Sequence, residues 1–144
     1  MRIASFVVAA VIGAAAASPT SIEVERPWAR ATVPGASTGA AFMTVRSNGA
    51  SDQLLGASTP VAEQVDLHQS IMKDGMAQMR GVDAIDIAPG RPATLAPGGL
   101  HFMLMGLKHP LAEGTTFPLT LKFRKRDPVT VDVRVAGMGA TSAP

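Results

Sequence analysis

The sequence predicts a single all-β domain built as a sandwich or barrel. Beyond residue 18, no long stretch repeats apolar residues at the helical period of about 3.6. Short segments in which apolar and polar residues alternate are instead separated by turn-forming residues, at the spacing typical of sandwiches and barrels. The 144-residue chain contains no cysteine, so a hydrophobic core and not disulfides must stabilise it.

Ten segments carry this alternation and are predicted as strands. Turns are expected where Pro, Gly, Asn or Asp interrupt the pattern, as at Asn48-Gly49 and Asp74-Gly75. The predicted strands are Ile22–Arg30, Ala40–Ser47, Gln53–Ala57, Glu63–Ser70, Met76–Val82, Ile85–Ile87, Ala93–Ala96, Leu100–Leu107, Thr116–Arg124 and Val129–Val135. Trp28, in the first of them, is expected to anchor the core.

The N-terminus has the composition of a secretory signal. Arg2 provides the positive start, Ile3–Ile12 the apolar stretch and Ala15–Ala17 the small-residue cleavage site. We therefore expect residues 1–17 to be a signal peptide, 18–136 a folded domain and 137–144 a flexible tail. The apolar stretch is too short for a comfortable membrane span, and the absence of cysteine argues against a lipid anchor.

The charge pattern does not indicate nucleic-acid binding. The formal net charge is +2, and removal of Arg2 with the signal leaves twelve Lys and Arg against eleven Asp and Glu. A basic run at 122–126 is typical of a solvated strand end. One Trp and five Phe are too few for the aromatic stacking that accompanies basic nucleic-acid surfaces.

Two histidines and two methionines form the most informative pattern of the chain, H-x10-M-x21-H-x-M, at His68, Met79, His101 and Met103. In its strand, His68 falls on the face opposite the apolar side chains. His101 and Met103 likewise share a face, because alternate residues of a strand point the same way. Met79 follows the Asp74-Gly75 turn, on the arm that returns past His68. A hairpin and one further strand would bring all four side chains to one rim.

These donors suit a soft metal ion. Imidazole is a common metal ligand, and thioether sulfur prefers Cu(I) to Zn²⁺, Mg²⁺ or Ca²⁺. The absence of cysteine excludes thiolate zinc sites and the His2Cys blue-copper centre. The sequence therefore predicts copper binding outside the cytoplasm.

Methionine is also an ordinary core filler, so each one has a competing interpretation. Five of the eight methionines lie between residues 72 and 105, a density that packing alone explains poorly. We interpret Met43 as core. Met72, Met76 and Met105 are interpreted as an apolar rim or as filler, with auxiliary sulfur ligands as the alternative.

From Ile22 to about Ala136 the chain resembles the PCuAC family of periplasmic copper chaperones. The resemblance is carried by the four-residue pattern and by the segments at Pro27–Ser37, Ala40–Val45, Met72–Arg80 and Pro97–Lys108. Some members have Met directly after the first histidine, where this chain has Gln69. The resemblance implies a cupredoxin-like Greek-key fold and a periplasmic chaperone that binds Cu(I) through the two His and two Met. It also implies delivery to the copper centre of cytochrome c oxidase subunit II, directly or through a Sco-type protein.

Other functions remain open from the residues alone. A copper-sequestering protein would use the same ligands, whereas an electron carrier is disfavoured by the absence of cysteine. A β-sandwich interaction module would need no metal. The G-x-S-x-G at 35–39 follows a turn and precedes a strand, so it lacks the setting of a catalytic serine. We expect no enzyme.

Overall fold

The structure is a computed structural model, and it describes residues 22–144. The predicted signal peptide, residues 1–17, lies outside the described residues. Ten strands are present, and each overlaps its predicted counterpart. They are β1 (Ile22–Arg30), β2 (Thr38–Ser47), β3 (Asp52–Ser58), β4 (Ala62–Lys73), β5 (Met76–Gly81), β6 (Ile85–Ile87), β7 (Ala93–Leu95), β8 (Leu100–Leu107), β9 (Thr116–Phe123) and β10 (Val129–Ala136).

Seven strands form a closed barrel in the order β4-β8-β2-β1-β10-β9-β3. The barrel closes where Ala57 of β3 pairs with Val65 of β4. β1 and β10 run parallel and the remaining neighbours antiparallel, so the chain crosses between non-consecutive strands as in a Greek key. The prediction of an all-β cupredoxin-like fold is confirmed. Across residues 22–144, no helix is long and apolar enough to span a membrane.

Three short strands extend the barrel at its margins. β5 pairs with β4, β6 with β3 and β7 with β2. All six residues of β5 are exposed, so the β4–β5 hairpin projects from the barrel wall. Its turn has positive φ at Asp74 (53°) and Gly75 (75°), the backbone of a two-residue type I′ turn. This turn sets the register of β5 against β4.

The main core fills the barrel interior with alternate residues of its strands. Its largest completely buried side chains come from β2, β3, β6, β8, β9 and β10, and they are Val45, Leu54, Ile87, Phe102, Leu104, Leu119, Leu121, Val133 and Val135. Met43 is also buried in this core, as predicted.

A second apolar cluster lies on the outside of the barrel wall. It consists of Trp28, Phe42 and Ala136, with Ala140 and Ala143 packed against it. Trp28 is buried, as expected, but it anchors this outer cluster and not the barrel interior. A β-bulge between Glu25 and Trp28 shifts the register of β1 by one residue, and so it turns Trp28 to the outer face.

One buried ion pair joins the start of β3 to the β9–β10 turn. Asp52 accepts hydrogen bonds from Arg126 Nε (3.0 Å) and from the backbone N–H groups of Gln53 (2.7 Å) and Lys125 (3.0 Å). Burial alone would raise the pKa of Asp52, but these hydrogen bonds and the Arg126 charge together hold the pKa below its ordinary value. The carboxylate therefore ties two distant loops together in its ionised form.

We predict that Asp52→Ala lowers the free energy of unfolding by about 3 kcal/mol or more, because it removes a buried carboxylate that accepts from Arg126 and from two backbone N–H groups. Glu25→Ala is the matched control. It removes the exposed ion pair to Arg46 (2.8 Å), which is expected to cost less than about 1 kcal/mol. Urea unfolding of both variants measures the difference, and equal losses would contradict the prediction.

The same pair predicts acid sensitivity. Since the folded pKa of Asp52 is lowered, its stabilisation is complete above the ordinary aspartate pKa and is lost as pH falls through the folded value. Asp52→Ala should therefore lose less stability on acidification than the unchanged protein.

Candidate metal centre

The register of β4 against β8 brings the two predicted histidine ligands together. His68 lies directly opposite His101 in this antiparallel pair. Their ring centroids are 6.0 Å apart and the ring planes cross at 61°. Two side chains that are 33 positions apart in the sequence thus become cross-strand neighbours on one face of the barrel wall.

The His101 side chain is buried although it lies on the outer face of the sheet. It is only 3% exposed. Phe42 of β2 packs beside it with ring centroids 6.3 Å apart, and Trp28 packs on Phe42 at 4.7 Å. The outer aromatic cluster therefore shields one side of the imidazole pair from water, while His68 forms its other, half-buried side.

Both imidazoles present a nitrogen that has no hydrogen-bond partner among residues 22–144. His101 Nδ1 lies 3.1 Å from the Gly99 carbonyl, which can only accept, so Nδ1 carries the proton and Nε2 is left with a free lone pair. His101 Nε2 and His68 Nδ1 are buried without a hydrogen-bond partner. Within residues 22–144, the one other such side-chain atom is Gln53 Oε1. An unpartnered buried polar atom costs about 1–3 kcal/mol, so two at adjacent positions make this pair a candidate binding site.

The environment of His101 keeps it neutral. Burial lowers its pKa, the hydrogen bond to Gly99 opposes this effect, and the charge of His68 lowers the pKa further. A neutral imidazole whose other nitrogen donates to a backbone carbonyl is the usual form of a metal-binding histidine.

The two predicted methionine ligands flank the histidine pair along the strands. Met103 lies two residues beyond His101 on the same face of β8, is half-buried, and pairs with Asp66 of β4. Met79 lies on β5 opposite Ser70, which is two residues from His68 in the other direction along β4. Its side chain is 62% exposed. Two residues along a strand span about 6.8 Å, a gap that flexible thioether side chains can narrow from both sides. The structure places His68 and His101 side by side, with Met103 next to them and Met79 at the solvent-exposed edge.

Harder donors do not gather at this position. Asp66 accepts two hydrogen bonds from Gln64 Nε2, at 2.9 and 2.8 Å. No group of three His, Cys, Asp or Glu side chains suited to a metal occurs in the described part of the chain. The two imidazoles and the neighbouring thioethers are donors of the kind that a soft ion prefers.

Solvent reaches His68 beside β5. A cleft of about 370 Å³ opens there, lined by Asp66, His68, Gly81 and Asp83 among others. A larger cavity, about 470 Å³, lies elsewhere, between the start of β3 and the loops near Arg91 and Lys125. Its lining contains none of the four predicted ligands.

Two contributors to this centre are missed by sequence reasoning. Phe42 shields His101, and the Gly99 carbonyl fixes its tautomer. Alternation along β2 places Phe42 on the face opposite Met43 and so contains a signal for its outward direction. Its position beside His101 requires the β2–β8 pairing. Met72 and Met76 are 72% and 67% exposed, so they do not act as filler, and the interpretations as an apolar rim or as auxiliary sulfur ligands remain.

The chain is similar in structure to copper-binding domains of known structure. The copper-bound PCuAC domain from PmoF2 aligns with a TM-score of 0.67 and 30% identity, over 81% of this chain and 92% of that domain. The apo form of the same domain gives a TM-score of 0.69, 30% identity and coverages of 86% and 98%. The Cu(I) form of DR1885 from Deinococcus radiodurans gives 0.63 and 33% identity, over 87% of this chain and 83% of that protein.

Sequence relatives agree on the extent of the domain. A putative lipoprotein of Leifsonia xyli is 35% identical over 117 residues, covering 78% of this chain and 69% of that protein. An uncharacterized protein of Rickettsia prowazekii is 30% identical over 121 residues, with coverages of 81% and 67%. The family model described as putative lipoprotein LpqE-like matches residues 22–135, and the chain therefore belongs to the LpqE-like family.

Proposed function

We propose that this protein is an exported copper chaperone that binds Cu(I) through His68, Met79, His101 and Met103. The observation that carries the proposal is the pair of unpartnered nitrogens, His68 Nδ1 and His101 Nε2, on adjacent strands with a methionine on either side. The structural similarity to a copper-bound PCuAC domain and to the Cu(I) form of DR1885 supports it.

The donor set fits a carrier that must release its cargo. Thioethers bind Cu(I) without losing a proton, and neutral imidazoles add two further donors of moderate strength. A thiolate acceptor is a stronger ligand for a soft ion, so transfer to such an acceptor is downhill. Met79 is the most exposed of the four, and it is therefore the donor that an incoming thiolate replaces first.

The proposed location is the periplasm, and the proposed acceptor is the copper centre of cytochrome c oxidase subunit II or a Sco-type protein. The secretory character of residues 1–17 and the resemblance to PCuAC chaperones support this assignment. Gene deletion separates delivery from copper sequestration. Loss of a courier lowers oxidase activity in copper-poor medium, whereas loss of a sequestering protein raises sensitivity to copper.

The first functional prediction concerns the sulfur ligands. Met79→Leu combined with Met103→Leu should abolish Cu(I) binding and leave the fold intact, because it removes both soft thioether donors and replaces them with apolar side chains of similar size. The control is Met76→Leu combined with Met138→Leu, which changes two methionines as exposed as Met79 and outside the predicted set. Anaerobic Cu(I) titration with thermal unfolding measures both, and X-ray absorption should count two sulfur and two nitrogen neighbours. Full affinity in the first double variant would reject the site.

The second prediction concerns pH. Because burial lowers the pKa of His101, its Nε2 stays available to the metal at neutral pH. Protons compete with the metal for this nitrogen once the pH falls toward that lowered pKa. Cu(I) affinity should be flat above the ordinary histidine range and should fall on acidification. Titration across that range checks this, and an affinity that does not change with pH would indicate a sulfur-only site.

A further inference from the structure

Three methionines on the β4–β5 hairpin are mostly exposed to solvent. Met72, Met76 and Met79 are 72%, 67% and 62% exposed. Burying a methionine side chain stabilises a protein by about 1.5–3 kcal/mol, so a hairpin that leaves three of them in water forgoes that contribution. The strand register determines which of them face the histidine pair.

The strand register divides the three methionines between two faces. Met79 pairs with Ser70, and Met72 is two residues from Ser70 on β4, so both share the face of His68. Met76 pairs with Lys73 and lies on the opposite face. The hairpin thus offers two methionines on the side of the metal centre and one equally exposed methionine on the other side.

Met72 and Met79 are also close neighbours across the two strands. The Val82 N–H donates to the Leu67 carbonyl at 2.9 Å, so Leu67 and Val82 form a hydrogen-bonded pair. Hydrogen-bonded and non-hydrogen-bonded pairs alternate along an antiparallel hairpin. Ser70–Met79 and Met72–Ala77 are therefore non-hydrogen-bonded pairs. Side chains approach more closely at such pairs, and long side chains on diagonal positions reach each other. Met72 and Met79 occupy one of these diagonals.

The face between this methionine pair and the imidazoles carries small side chains, because Ser70 lies between Met72 and His68 on β4. Gly81 is the cross-strand partner of His68, and a Cβ placed on it would meet no atom within 4 Å. Met72 and Met79 therefore lie on the face that extends from the hairpin tip to His68. Gly81 adds no side chain to that face.

We infer that Met72 and Met79 form an outer thioether pair that receives Cu(I) and passes it inward to the four-donor centre. This inference rests on the proposed function and assigns to Met72 a role outside the four predicted ligands. The copper stays Cu(I) throughout, and ligands exchange in order. Met72 sulfur leaves as an imidazole nitrogen bonds, while Met79 sulfur remains attached. Two thioethers bind more weakly than two thioethers and two imidazoles, so the inward step is downhill.

The test compares Met72→Leu with Met76→Leu, a matched pair of similarly exposed residues on opposite faces of one hairpin. Each variant, in the full folded domain, is mixed anaerobically with a chromophoric Cu(I) chelator complex, and the rates of uptake and return are followed by absorbance. Met72→Leu should slow both rates several-fold and change the equilibrium affinity less, because a residue on the path lowers the barrier in both directions. Met76→Leu should behave like the unchanged protein.

Methyl NMR of ¹³C-methionine-labelled protein provides the second readout. Addition of Cu(I) should shift the methyl signals of Met72, Met79 and Met103 and leave that of Met76 in place. Shifts at Met79 and Met103 without one at Met72, or equal rates in the two leucine variants, would overturn the inference alone. No uptake and no methyl shift at all would overturn the proposed function, and the inference with it.

Discussion

The antiparallel register of β4 against β8 is the constraint on which the centre depends. It sets His68 opposite His101, and it sets Met103 two residues further along on the same face. A slip of one residue would turn every side chain of one strand to the other face, so His101 would enter the core and Phe102 would leave it. The buried Phe102 and Leu104 on the inner face of β8 make that slip costly. The hydrophobic core thereby fixes the position of the polar centre on the opposite side of the same strands.

The outer aromatic cluster gives this face a second function beyond covering the sheet. Phe42 contacts His101 and Trp28, and Arg30 lies over the Phe42 ring at 5.5 Å. Arg30 Nε also donates to the Ala140 carbonyl at 2.9 Å, which connects the cluster to residues after β10. His101 consequently has a dry aromatic wall on one side and a second imidazole on the other. This asymmetry explains why its nitrogen is buried and unpartnered while Met79, across β4, is open to water.

The sequence predicts most of the architecture because the strands here are separated by unambiguous turn residues. Asp74-Gly75 is an example, since its type I′ backbone is visible in the dipeptide itself. What the sequence does not reveal arises from pairings between distant strands. The outward turn of Trp28 results from a bulge at Arg26, whose φ of 49° is unusual for a side chain of its kind. The burial of His101 depends on β2 lying beside β8, which alternation within β8 cannot disclose.

The four predicted donors differ widely in exposure, and the proposed carrier role accounts for the difference. A fully enclosed site would bind Cu(I) tightly but would expose no donor to an acceptor. A fully exposed site would leave neutral imidazoles hydrated and would lose the lowered pKa that burial gives His101. Here the donors run from His101, shielded by aromatic rings, through the half-buried His68 and Met103 to Met79 on a projecting hairpin. In the proposed chaperone, the shielded histidine end would hold the ion and the exposed Met79 end would exchange ligands. A carrier needs both properties, and the two ends of one β-sheet face supply them separately.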